Sequence, residues 1–193
     1  VRERTLILFL GDNGTHKSIR TKLAGGRTVT GGKGTAGVDG MRVPLIANRP
    51  GVVPAGKVCP DLIDTTDFFP TLCDAAGVGA PAKPTPDGRS FAPQLRGEKG
   101  TPREWVYSWY WPNQGGRPAP PVEFVADRTY RLDRDGTLTR WTAGDPADRT
   151  KPLADPLPPD AAAAKEALSA ALKGFAGVRP TRLPQPAQHP EKP

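Results

Sequence analysis

The residues best suited to chemistry stand at the end of an apolar run. Thr5 to Leu10 reads TLILFL and breaks into Gly11-Asp12-Asn13-Gly14, with His16 two residues further on. Asp12 and Asn13 are adjacent oxygen donors of the hard type that suits Ca2+ or Mg2+ better than zinc. The flanking glycines let the backbone turn tightly enough for both side chains to face one point. The same tetrapeptide also suits an ordinary turn closed by Asx hydrogen bonds. Twenty-one residues after Asp12 comes Lys33, within Gly31-Gly32-Lys33-Gly34-Thr35. A lysine among glycines can approach a tetrahedral anion closely and act on it as a point charge. His16, four residues past Asp12, either lines such a pocket or sits on a surface loop. Arg20 and Lys22 in the same loop either gather anionic substrate or remain solvated. Trp109, Tyr110 and Trp111 either floor a sugar or aryl subsite or pack between sheet and helix.

These residues need elements to position them. The run at 5–10 predicts a strand covered on both faces, as in a parallel sheet, and ligands in such sheets sit beyond the carboxyl ends of the strands. Val43 to Ala47, VPLIA, predicts a second strand. Residues 14–40 between them are too long for an ordinary connection and read as functional or disordered. A helix is predicted from Thr65 or Thr66 as N-cap to Gly77, with Phe68, Phe69, Leu72 and Ala76 near one face. Short β-prone segments come next at 105–111, 122–126, 129–133 and 138–142, with Asp135-Gly136 as a hairpin turn between the last two. DAAAAKEALSAALKGF then predicts a helix with high alanine propensity. Residues 178–193, rich in proline, read as a disordered tail.

Composition narrows the classes. The chain has 193 residues, 24 prolines and 22 glycines, so much of it must be loop. Its formal net charge of +7 favours anionic partners. No run of like charges, RNA-recognition signature or zinc-finger spacing points to nucleic acid. No apolar stretch reaches the roughly 18 residues of a membrane span. Cys59 and Cys73 lie outside any CxxC or Cys/His cluster and read as half-buried thiols, with a disulfide open only to an oxidising compartment.

Asp12-Asn13-Gly14, the glycine-flanked Lys33 and "GMRVPLIANRPG" together resemble the sulfatase family of the alkaline phosphatase superfamily. "DLIDTTDFFPTLCDAAGV", "PDGRSFAPQLRG", "PREWVYSWY" and "YRLDRDGTLTRWTAGDPAD" resemble later sulfatase segments in the same order, so the likeness covers roughly residues 5 to 175. The resemblance implies a calcium-assisted sulfate-ester hydrolase of the arylsulfatase type. Asp12 and Asn13 match two of its calcium ligands, and Lys33 matches its sulfate-contacting lysine. The family's nucleophile is a formylglycine hydrate made from the Cys or Ser of a Cys/Ser-x-Pro-x-Arg motif. Neither cysteine here qualifies: Cys59 precedes Pro60-Asp61-Leu62, and Cys73 precedes Asp74-Ala75-Ala76.

The expectation is therefore a C-terminal portion of a sulfatase, with an incomplete Ca2+ site and with the formylglycine and remaining ligands upstream of Val1. Its partners would be a sulfate ester, aryl or carbohydrate, and the N-terminal half of the same protein. The fold expected is α/β: residues 1–103 as part of a mixed sheet with flanking helices, then 104–177 as a small antiparallel sheet packed by a C-terminal helix. Two alternatives remain open. One is a phosphodiesterase or phosphonate hydrolase of the same superfamily, whose members place Asp-His at this strand tip. The other is a non-catalytic remnant or binding module. A periplasmic or secreted location rests only on analogy with exported relatives.

Overall fold

A computed structural model describes residues 1–111, 120–141 and 151–179. The chain forms β1 (Ile7–Leu10), β2 (Arg20–Lys22), β3 (Thr28–Thr30), α1 (Val38–Met41), β4 (Leu45–Asn48), α2 (Phe68–Ala75), α3 (Ala92–Leu95), β5 (Val106–Tyr110), β6 (Val122–Ala126), β7 (Tyr130–Asp133), β8 (Leu138–Arg140) and α4 (Pro159–Lys173). The α/β class and the final antiparallel sheet beneath a C-terminal helix are as expected.

The parallel pairing expected of residues 5–10 is not observed. β1 pairs antiparallel with β4, Phe9 opposite Ile46. The intervening chain holds the β2–β3 hairpin and one short helix, so no crossover helix covers the pair. Phe9 is 60% exposed and Ile46 59%. The apolar run is thus a bare two-stranded ribbon. The 14–40 connection, read as functional or disordered, contains a hairpin: Gly25 and Gly26, both at positive φ, turn β2 back onto β3.

α2 also departs from expectation. It is entered through a 3-10 turn over Thr65–Asp67 capped by Asp64, which accepts from Thr66 N at 2.9 Å, while Asp67 accepts from Asp64 N at 2.8 Å; Asp67, the residue before α2, makes no side-chain cap bond to it. A carboxylate there supersedes the threonines at 65 and 66 because it reaches the free amides of the first turn. Gly77 ends the segment at φ +72, as predicted. Of the predicted apolar face, Phe68 is half-buried with its ring edge-on to Phe91 at 5.4 Å, whereas Phe69, Leu72 and Ala76 are exposed and the fully buried residues are Pro70 and Thr71. Thr71 is drawn inward by hydrogen bonds: its hydroxyl donates to Asp67 O at 2.6 Å and accepts from Phe91 N at 2.9 Å.

Asp67 itself is 2% exposed. Its carboxylate accepts from Arg89 N at 2.7 Å and from the Arg103 guanidinium, Nε at 2.8 Å and Nη2. Those bonds to Asp67 hold the Arg103 pKa above its ordinary value although burial opposes them. One carboxylate therefore ties α2 to the loop before α3 and to the segment entering β5.

The four strands β5-β6-β7-β8 form a meander, and alternation gives it two faces. Val125, Tyr130, Leu132 and Leu138 pack against Ala161, Leu168 and Leu172 of α4. Phe124 and Ala126 turn to the other face, against Val38 and Trp141. Asp135-Gly136 makes the predicted hairpin: Gly136 adopts φ +88, and Asp133 N donates to Thr137 O at 2.9 Å. α4 carries the predicted alanine-rich helix, with Pro159 at its first position where no amide donor is missed. The tail reading for 180–193 lies outside the described residues. Among the described residues no helix is long and apolar enough to cross a membrane.

On the α4 side Tyr107 stacks on Phe175 at 3.7 Å and donates from its hydroxyl to Glu123 at 2.8 Å. Burial, with the Glu123 carboxylate, pushes this phenol up to about 12. A raised folded pKa contributes stability that is complete below the unfolded value and disappears as pH rises through the folded one. Between pH 10 and about 12 the sheet–helix packing should therefore weaken. Phenolate absorbance should show Tyr107 titrating late and returning toward its ordinary value in Glu123→Gln. For the bare ribbon, Phe9→Lys with Ile46→Lys should raise the monomeric fraction of the 193-residue chain in gel filtration. An unchanged aggregate would show that another surface drives association.

Candidate functional site

β1 delivers Gly11-Asp12-Asn13-Gly14 at its carboxyl end. Asn13 Nδ2 donates to Asp12 Oδ1 at 2.9 Å, so the two side chains do converge. Beyond this tip the chain is held by backbone packed on backbone. Gly14 N donates to Gly40 O at 2.8 Å, and a β-carbon on Gly14 would lie 2.0 Å from Asp39 O. A β-carbon on Gly32 would lie 2.6 Å from Asp39 C, and one on Gly31 2.2 Å from Thr15 O. Glycine is needed at these positions for close approach, beyond the tight turning read from the sequence.

The same crossing runs through Lys33, whose side chain is exposed. Lys33 N donates to Thr15 O at 2.9 Å and Gly31 N to Ile19 O at 3.0 Å. From the opposite side the C-terminal sheet holds the same loop. Tyr110 Oη donates to Gly34 O at 3.3 Å, and Arg131 Nη1 donates to Ala36 O at 2.7 Å. Arg131 lies 3.9 Å above the Phe124 ring and is braced by Asp133 at 3.1 Å. Tyr110 and Arg131 come from 76 and 95 residues away, and no local sequence signal marks them as partners of the lysine loop.

The other expected residues separate. His16 is exposed, and its Nδ1 accepts from Ser18 N at 3.2 Å and contacts Ser18 Oγ at 2.8 Å. Its ring is tied to its own turn. A cavity of about 260 Å³ lies beside Asn13, lined by Thr15, Thr21, Asp39 and Arg42 among others; Asp12, His16 and Lys33 are outside its wall. The aromatic trio divides across β5: Tyr110 meets the lysine loop, while alternation turns Trp109 and Trp111, in edge contact at 5.8 Å, to the other face. Both thiols are free, Cys59 exposed and Cys73 half-buried.

For a hard cation the donor types fit, since Asp12 and Asn13 each carry a side-chain oxygen and their side chains touch. Ca2+ takes roughly six to eight oxygens, so these are a part of its shell. Among the described residues no group of three or more His, Cys, Asp or Glu gathers to complete it. Asn13 presents its amide nitrogen to Asp12, so joint ligation needs that amide turned over.

Comparison with known proteins places the chain. Residues 37–134 match the family described as N-sulphoglucosamine sulphohydrolase, C-terminal. That match begins after Asp12, Asn13 and Lys33. Rat arylsulfatase G is 33% identical over 144 residues, covering 69% of this chain and 26% of that protein. A solved sulfatase structure from Bacteroides thetaiotaomicron superposes with a TM-score of 0.62 at 28% identity, over 88% of this chain and 35% of that one. A solved 2-O GAG sulfatase gives a TM-score of 0.61 at 28% identity with the same coverage. The chain spans between about a sixth and a third of the length of the proteins it matches.

Gly14→Ala should cost about 2 kcal/mol, because the methyl would enter the Asp39 carbonyl. Gly79→Ala, with nothing within 4 Å of the added carbon, should be neutral. Urea titration of both variants checks the contrast, and equal stabilities would remove the packing argument.

Proposed function

This chain belongs to the sulfatase family, and we propose that it supplies one side of a site that hydrolyses a sulfate ester. The observation that carries the reading is the backbone crossing that joins the Lys33 loop to the Asp12-Asn13 tip. Lys33 offers an ammonium to the sulfate oxygens, and Asp12 and Asn13 offer two oxygens to Ca2+. When bound, that ion adds positive charge against the oxygens on which the transition state concentrates negative charge. The glycine crossing and the Tyr110 and Arg131 bonds fix the loop before substrate arrives, so little reorganisation is left for the reaction. The formylglycine nucleophile and the remaining cation ligands belong, in this reading, to the portion of the relatives that this chain does not span. The arylsulfatase and 2-O GAG sulfatase likenesses support an aryl or sugar leaving group.

In the full-length protein Lys33→Ala should lower kcat/KM for an aryl sulfate by about a hundredfold. Asp12→Ala should weaken Ca2+ binding measured by calorimetry, and chelation should reduce turnover reversibly. The 193-residue chain alone should turn over none. Turnover by that chain, or a Lys33→Ala protein with full activity, would defeat the proposal.

A further inference from the structure

Lys33 stands at the corner of a tight turn. Thr35 N donates to Gly32 O at 3.0 Å, and Gly34 between them adopts φ +80, whereas Lys33 is not at positive φ. That combination is a type II turn with Lys33 at its second position. The Thr35 hydroxyl closes it a second time, donating to Gly32 O at 2.7 Å. The lysine side chain is exposed, and among the described residues no partner holds its ammonium. Its direction is therefore set by the backbone of the turn, and so by whatever fixes that backbone. Upstream, Lys33 N is bonded to Thr15 O. Downstream, the next fixed carbonyls belong to the C-terminal sheet: Gly34 O accepts from Tyr110 of β5, and Ala36 O accepts from Arg131 of β7. Val38, two residues further on, is buried against Phe124, Ala126 and Trp141 of the same sheet.

We infer that Tyr110 and Arg131 are positioning residues that set the aim of Lys33. This rests on the sulfatase reading of Lys33 and assigns the control of that ammonium to two side chains remote from it in sequence. The Arg131 guanidinium suits the task because it is itself immobilised. Its side chain is 15% exposed, it lies over the Phe124 ring, and Asp133 occupies its Nε while Nη1 reaches Ala36 O. A lysine there would keep the charge but lose the planar fork that makes these contacts together. The Tyr110 hydroxyl adds a second fixed point one residue past Lys33. An ammonium that meets the sulfate oxygens as charge builds on them contributes to the chemical step, so loosening the turn should lower kcat and leave KM largely unchanged.

The test is a double-mutant cycle in the full-length protein with an aryl sulfate. Tyr110→Phe removes one hydroxyl, and Arg131→Lys keeps the charge. Y110F should lower kcat about threefold and R131K about tenfold, with KM changed less than about twofold. In a Lys33→Ala background the same substitutions should change kcat less than about twofold, because no ammonium is left to aim. Full losses in that background, or a wild-type kcat unchanged by both substitutions, would overturn the inference. So would losses that merely track a fall in the folded fraction measured by urea titration. If R131K does not fold, Y110F completes the cycle alone. Amide hydrogen exchange reads the turn without catalysis. The Lys33 and Thr35 amides should exchange about tenfold faster in the variants, while amides of α4 keep their protection. Faster exchange in a protein that hydrolyses no sulfate ester supports the aiming role, and only the sulfatase reading falls. Unchanged exchange overturns the inference whatever the activity.

Discussion

Backbone meeting backbone without side chains between is the constraint on which the site depends. At Gly14, Gly31, Gly32 and Gly40 any β-carbon would lie under 3 Å from a main-chain atom of a neighbouring segment. Only that closeness permits the hydrogen bonds Gly14–Gly40 and Lys33–Thr15, which turn a 26-residue excursion into a fixed platform. The glycines lose more conformational freedom on folding than other residues would. The crossing offsets this cost through the hydrogen bonds it closes between the Lys33 segment and the chain just past Asp12-Asn13.

The platform is not self-supporting. One face of the C-terminal sheet is filled by α4, and the other receives the loop from Gly34 to Met41 through Tyr110, Arg131 and Val38. Arg131 is suited to this because its planar cation can stack on Phe124, pair with Asp133 and still donate to Ala36 O. Asp67 plays the joining role further along. Its buried carboxylate satisfies Arg103, Arg89 N and Asp64 N together, so the helical segment and the start of the sheet share one set of bonds. A pair this desolvated holds because its donors and acceptors are matched; removing either partner would strand a buried charge.

The β1–β4 ribbon contrasts with this well-satisfied interior. Ile7, Phe9 and Ile46 expose apolar surface that the described residues leave uncovered. In the sulfatase reading that surface faces the portion of the relatives this chain does not span. α2 repeats the pattern on a smaller scale, with Phe69 and Leu72 outward and the polar Thr71 buried. Apolar periodicity read from sequence identifies a face that can be covered, and the covering partner can lie elsewhere.

The sequence by itself determined the local elements and the types of chemistry. The Asp135-Gly136 hairpin, the alanine-rich α4 and the stop at Gly77 are decided by residues within a turn of one another, so their signals are readable in order. The pairing of Asp12 with Asn13 and the glycine setting of Lys33 were legible for the same reason. Tertiary structure alone decided that β1 runs antiparallel to β4 and that Phe69 and Leu72 of α2 stay outward. It also decided that Tyr110 and Arg131 hold carbonyls 76 and 95 residues distant. Contacts between remote segments depend on which surfaces are left available once local elements form, and no single stretch of sequence encodes that competition.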